Sequence, residues 1–180
     1  MTSMPSRCFA PAVTPDIRVL ILGSLPGEAS LAKQQYYGHP RNHFWHLMSA
    51  ITGVDLLSLE YEARLAQLNC SGIGLWDVVA RAVRPGSLDQ HLREVVPNGL
   101  ADFIAGLEKL EAIAFNGSSA SKIGRRQIGD ASTNGTASLV LFDLPSSSPA
   151  NTMAYARKSE LWMQLAPYSR YRPYVGSTEP

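Results

Sequence analysis

The chain is short of cysteine, of charge and of long apolar runs, and each shortage excludes something. Two cysteines, Cys8 and Cys70, cannot build a disulfide framework, and neither lies in a CxxC or Cys/His cluster. That usage points to a reducing, cytoplasmic setting. No apolar run approaches the ~20 residues of a membrane span. The region around Arg7, scattered with prolines, lacks the basic-then-apolar pattern of a signal peptide. Charged residues make up only 17%, and sixteen basic against fifteen acidic side chains leave a net charge of +1. Any polyanion must therefore be met by a local patch. Neither internal repeats nor low-complexity tracts occur. What is present is 180 residues, 45% of them hydrophobic, which excludes a disordered chain and suffices for one core without staples.

The apolar residues fall into short runs. Residues 18–23 (RVLILG), 72–79 (GIGLWDVV), 112–116 (AIAFN) and 138–143 (SLVLFD) read as strands buried on both faces. Helical patterns lie between them: FWHLMSAI capped by Asn42, then 60–69, 99–110, 117–126 and 154–165. Strands alternating with helices predict an α/β fold, one domain on a four-stranded parallel sheet covered on both faces. Residues 1–16 read as an irregular lead-in, 17–167 as the domain and 168–180 as a tail. Ligands of such folds bind at the carboxyl ends of the strands, which selects segments 23–45, 76–84, 116–122 and 144–151.

Two of these segments carry unusual composition. The long loop after the first strand, GSLPGEASLAKQQYYGHPRN, leads into FWH and holds Tyr36, Tyr37, Phe44 and Trp45. Aromatics at a strand end suit a flat ligand, because a base stacked on a ring gains ~1–3 kcal/mol. Trp45, with Met48 three residues on, reads as packing; Tyr36 and Tyr37 read as binding residues. His39, His43 and His46 raise a metal reading, but no acidic or cysteine partner accompanies them. Residues 144–151 spell LPSSSPAN. Three serines between prolines, ahead of a helix, suit a phosphate held by hydroxyls and backbone N–H groups. A plain helix cap at Ser148 or Asn151 is the structural alternative.

GSLPG at 23–27, YYGHPRNHFW at 36–45 and LPSSSPAN at 144–151 together resemble the uracil-DNA glycosylase superfamily, most closely its hypoxanthine-DNA glycosylase branch. The resemblance runs from about residue 18 to 165. It implies a three-layer α/β/α sandwich, DNA containing a deaminated base as partner, and hydrolysis of the N-glycosidic bond to leave an abasic site. The target nucleotide is then flipped out of the duplex into a pocket.

Site residues follow from the resemblance position by position. Uracil-specific members carry an aspartate where this chain has Leu25, which weakens the expectation of uracil excision. The hypoxanthine branch assigns the water to the asparagine of HPRN, here Asn42, which orients water by hydrogen bonds but does not take its proton. Ser146 stands where those members place a histidine that donates to the base. Gly23, Ser24, Leu25, Tyr37, Phe44, Trp76, Asp77 and Asn116 are the expected base-binding set. For Asp77 and Asn116, caps and turns are the structural alternatives. Arg41, Ser147, Ser148 and Asn151 are expected on the DNA backbone. Glu28 is the nearest substitute base, although a loop glutamate is ordinarily solvated. Arg41, Arg81, Arg84, Lys122, Arg125, Arg126, Arg157 and Lys158 make a basic rim. No metal, no cofactor, no membrane and a monomer complete the expectation. Two other classes stay open: a phosphate-binding module without chemistry, and a hydrolase using the three histidines and a metal.

Overall fold

The runs VLILG and AIAFN become the two innermost strands, β2 (Val19–Gly23) and β6 (Ala112–Asn116), every residue of which is buried. In the computed structural model, which describes residues 5–129 and 139–170, they pair in parallel at the centre of a four-stranded sheet. Its order is β3-β2-β6-β7, with β3 Ile73–Asp77 and β7 Val140–Leu144 at the edges, all neighbours parallel. Continuous apolar strands are what a sheet covered on both faces requires.

Alternate side chains go to opposite faces. Val19, Ile21, Ile73, Leu75, Ala112 and Ala114 meet α2 (Phe44–Thr52), α3 (Tyr61–Cys70) and α6 (Tyr155–Trp162) through Phe44, Met48, Leu68 and Trp162. Leu20, Leu22, Ile113 and Phe115 meet α4 (Leu100–Ala105) and α5 (Ser118–Ile128) through Leu100, Ile104, Ala120 and Ile128. The three-layer α/β/α sandwich follows.

Three features depart from the sequence reading. The lead-in carries a strand: β1 (Ser6–Arg7) pairs antiparallel with β4 (Val79–Val83), which pairs with β5 (Arg93–Pro97), and Ala12 bridges to Leu75. This second sheet was not expected, because β5 is exposed throughout and gives no apolar run. The long loop contains a short helix, α1 (Glu28–Lys33), begun after Gly27 and ended by Gln34 in the left-handed conformation. Finally, α4 stops at Ala105, where Gly106 closes it, rather than reaching residue 110. Residues 1–4 of the lead-in, residue 138 of the fourth expected strand and 171–180 of the tail lie outside the described residues. Tyr168 ends a 3-10 turn, Met163–Tyr168.

From β2 the chain steps outward to β3, then crosses back to the other side of β2 to make β6 and β7. The order therefore reverses between β2 and β6, where a crevice opens at the strands' carboxyl ends.

Candidate active site

A cleft of about 440 Å³ occupies that crevice, within the range of small-molecule sites. All four segments selected from the sequence contribute to it. Ser24, Tyr37 and Asn42 come from the first, Asp77 from the second, Asn116 from the third, and Ser146 from the fourth.

Tyr37 forms an aromatic wall. Its ring stacks on Phe44 at 3.7 Å between centroids and 17° between planes, and Phe44 meets Trp162 edge-on in the core. Phe44 is fully buried behind Tyr37 and does not line the cleft, so the expectation that it touches a base directly is corrected. Stacking puts the more polar ring outside. Tyr37 sits at φ 55°, a left-handed conformation that costs a bulky residue strain and is held by its surroundings. Tyr36 touches the cleft but is anchored in the core, its hydroxyl donating to the Ala10 carbonyl at 3.0 Å. Trp45 is core, as its helical spacing indicated.

At the deep end, Asp77 is only 4% exposed and its Oδ2 has no hydrogen-bond partner among the described residues; the Tyr37 hydroxyl is likewise unpartnered. Gly23 makes their closeness possible: a Cβ there would lie 2.7 Å from Asp77 Oδ1 and 3.3 Å from the Tyr37 hydroxyl. Burial pushes the Asp77 carboxyl up to about 7; Arg84 pulls it down and Asp89 raises it. Burial, with the Asp77 charge, also pushes the Tyr37 hydroxyl up, so it stays neutral. A carboxyl poised near neutrality in a cleft is a mark of functional sites. Trp76 points the other way, onto Phe103 at 4.4 Å, and does not line the cleft. Successive strand residues face opposite sides, so Asp77 and Trp76 cannot share one pocket wall.

Asn42 lines the cleft while its Oδ1 accepts the Phe44 N–H at 2.9 Å, joining the helix-start and site positions. The next residue's N–H donates to the Ser147 carbonyl at 3.0 Å, tying this loop to LPSSSPAN. Ser147 was expected on DNA but is 1% exposed. Its N–H donates to Asn116 Oδ1 at 2.8 Å, and its hydroxyl accepts from Asn116 Nδ2 at 2.9 Å. Its polar atoms are thus committed inside the protein, and Asn116 uses its amide to hold the loop. All three serines and Asn151 border the cleft, Ser147 at its buried floor and Ser146, Ser148 and Asn151 with local bonds of their own. The side-chain oxygens of Ser146, Ser148 and Asn151 accept the N–H of Ser148, Ala150 and Met153 respectively.

The basic rim is thinner than the sequence suggested. Arg84 and Lys158 are buried, while Arg125 pairs with Asp143 and Arg157 with Glu160. Arg41, Arg81, Lys122 and Arg126 remain exposed without an ion pair among the described residues. Glu28 is exposed at the start of α1 and does not line the cleft. His43 lies edge-on to Tyr155, with its ring held below the usual imidazole range by burial and by Lys158. Among the described residues no three His, Cys, Asp or Glu side chains come together as a metal site. Sequence reasoning missed Asp89 and the burial of Arg84. An arginine closing an alternating apolar stretch, five residues before an aspartate, was the available signal.

The chain is similar to known proteins in sequence and fold. A family model described as the uracil DNA glycosylase superfamily matches residues 10–170. Proteins named hypoxanthine DNA glycosylase from Methanosarcina barkeri and Methanosarcina acetivorans are each 40% identical over 114 residues, 63% of this chain and 72% of theirs. A solution NMR structure from Methanosarcina acetivorans, described as that of a candidate uracil DNA glycosylase, is 34% identical with a TM-score of 0.77. The match covers 92% of this chain and 99% of that one.

Proposed function

This chain belongs to the uracil-DNA glycosylase superfamily and is a DNA N-glycosylase, and from that premise we propose that it flips a deaminated base, foremost hypoxanthine, out of DNA and excises it by hydrolysis. The observation that carries the reading is the convergence of Asn42, Ser146, Tyr37 and Asp77 on one cleft at the strands' carboxyl ends. The extruded base stacks on Tyr37, and Asp77 meets its polar edge. Ser24, Leu25 and Asn116 complete the base pocket. Flipping costs a few kcal/mol in lost stacking and pairing, and is cheapest for a mispaired base.

Cleavage runs toward an oxocarbenium-like sugar and an anionic base. Ser146, whose hydroxyl keeps its proton for donation, supports the departing base. Asn42 orients the water that adds to the sugar cation; neutral water suffices for so strong an electrophile, and the proton that the new hydroxyl sheds neutralises the departed base anion. Leu25 in place of a carboxylate supports a preference away from uracil. Arg41, Ser148 and Asn151 hold the DNA backbone, with Arg81, Lys122 and Arg126 as the exposed cations nearest that role. We take the enzyme to act as a cytoplasmic monomer, without metal or cofactor; no helix of the described residues is long and apolar enough to cross a membrane.

The test is a panel of duplexes carrying hypoxanthine, uracil, xanthine or thymine, incubated in chelator and scored for abasic sites. Release of hypoxanthine at the highest rate is expected. Binding without release on every duplex would leave a phosphate-binding module, and activity lost in chelator and restored by zinc would bring in the histidines.

A further inference from the structure

One charged side chain beside the cleft has no part in that mechanism. Arg84 follows β4 and turns inward until its side chain is 2% exposed. Nη1 donates to the Leu25 carbonyl at 3.2 Å and to Asp89 Oδ1 at 2.9 Å, Nη2 donates to the Pro26 carbonyl, and Nε is buried without a partner among the described residues. Three residues on, the Ser87 hydroxyl accepts the Glu28 N–H at 3.1 Å. Gly27 allows that approach, since a Cβ there would lie 3.2 Å from the Ser87 oxygen. The turn at 84–89 is thus fastened to residues 25–28 from two sides, and both stretches line the cleft.

A buried guanidinium is retained against a substantial desolvation cost. A lysine would reach one acceptor as a point charge, whereas the planar fork reaches two carbonyls and a carboxylate together. Arg84 also balances two acids. Asp77, Arg84 and Asp89 line one end of the same cleft, where Asp77 Oδ1 and the Tyr37 hydroxyl both crowd Gly23. Arg84 and Asp89 are the charges that act on the Asp77 carboxyl, and the Tyr37 and Tyr36 hydroxyls and the Cys8 thiol are the other titratable groups that feel its charge.

We propose that Arg84, clamped by Leu25, Pro26 and Asp89, is a positioning residue that fixes the turn after β2 and sets the charge Asp77 presents to the base. Its consequence for excision rests on the proposed function; its effect on Asp77 does not. Taking away the guanidinium charge raises the pH at which Asp77 loses its proton. Taking away the Asp89 charge lowers it. A purely structural role moves neither in that opposed way.

The experiment is a carbon-13 carboxyl NMR titration of Asp77 in the parent, Arg84→Met, Arg84→Lys and Asp89→Asn, paired with single-turnover excision of hypoxanthine across pH. Arg84→Met is expected to move the Asp77 midpoint up by about one pH unit or more, and Asp89→Asn to move it down. Arg84→Lys keeps the midpoint near the parent's but weakens duplex binding, because the charge stays and the fork is lost. The excision profiles shift in the same directions. Midpoints unmoved in Arg84→Met and Asp89→Asn overturn the proposal. Should Arg84→Met fail to fold, an unmoved midpoint in Asp89→Asn overturns it and a lowered one supports it. If the parent excises no base, the glycosylase reading falls, while the midpoints still decide the role of Arg84.

Discussion

The two walls of the cleft are built on opposite principles. On the side of β6 and β7, Asn116, Ser146, Ser147 and Ser148 are neutral, and the buried pair Asn116 and Ser147 satisfy one another through two hydrogen bonds. On the side of β3 and β4, Asp77, Arg84 and Asp89 are ionisable, and Asp77 Oδ2 and Arg84 Nε are buried without partners among the described residues. A neutral, satisfied network holds its shape whatever the pH. A buried carboxyl whose proton depends on two nearby charges responds to pH and to whatever enters beside it. One wall is therefore neutral and internally satisfied, while the other, clamped by Arg84, also carries an electrostatic response.

The largest expected effect breaks the charged wall. The Asp77 carboxyl titrates near 3.8 when unfolded and is pushed up to about 7 when folded. Between those values the folded state holds the extra proton, so Asp77 lowers stability progressively as pH rises from about 4 to about 7. Below that window it has no effect, and above it the loss is complete, on the order of 4 kcal/mol. Asp77→Asn should abolish that part of the pH dependence, read as chemical denaturation midpoints of parent and variant at the two ends. Parallel curves would show that Asp77 is not so perturbed.

Next in size is Asn42. Asn42→Ala should slow single-turnover excision ~10²-fold or more with affinity for damaged DNA nearly intact, since an orienting group has been lost. Asn42→Asp separates this from the bond to the Phe44 N–H, because aspartate makes that bond as well as asparagine does. A folded alanine variant turning over at the parent rate would remove Asn42 from the mechanism. The neutral wall is probed by Ser147→Ala, which strands the buried Asn116 amide. A loss of ~1–3 kcal/mol in stability is expected, without a change in the pH profile. A normal melting temperature with weakened DNA binding would return Ser147 to the backbone-contact role. Smallest is Arg41→Ala, an exposed cation. It should weaken binding of all duplexes alike and reduce the slope of affinity against salt by about one, leaving the saturated rate unchanged.

Much of the neutral wall was legible along the chain, because its three serines are contiguous: SSS between prolines announces a loop that uses hydroxyls and backbone amides. Even so, which serine is buried at the floor of the cleft was not legible. Ser147 is the middle of three identical residues, and only the position of Asn116, thirty-one residues earlier, decides that it turns inward. The charged wall was harder to read. Asp77 stood out at a strand end, but Arg84 looked like one more surface cation, since burial of an arginine depends on carbonyls fifty-eight and fifty-nine residues away. The pairing of β5 was invisible for a related reason: an exposed strand with neighbours on one side needs no apolar alternation.

By itself the sequence determined the parallel sheet, its helical layers and the four segments that meet at the cleft. Runs such as VLILG and AIAF, with no charged or polar residue to give to solvent, have no stable place except between two covered faces. The tertiary structure alone decided the direction and charge of the side chains at the site. It put Phe44 behind Tyr37 rather than against a ligand, turned Trp76 away from Asp77, and shared Arg84 between backbone carbonyls and Asp89. Hydrophobic burial is a property of composition and period and can be read locally, whereas a buried polar atom's partner and charge are set by groups that only folding brings within a few ångströms.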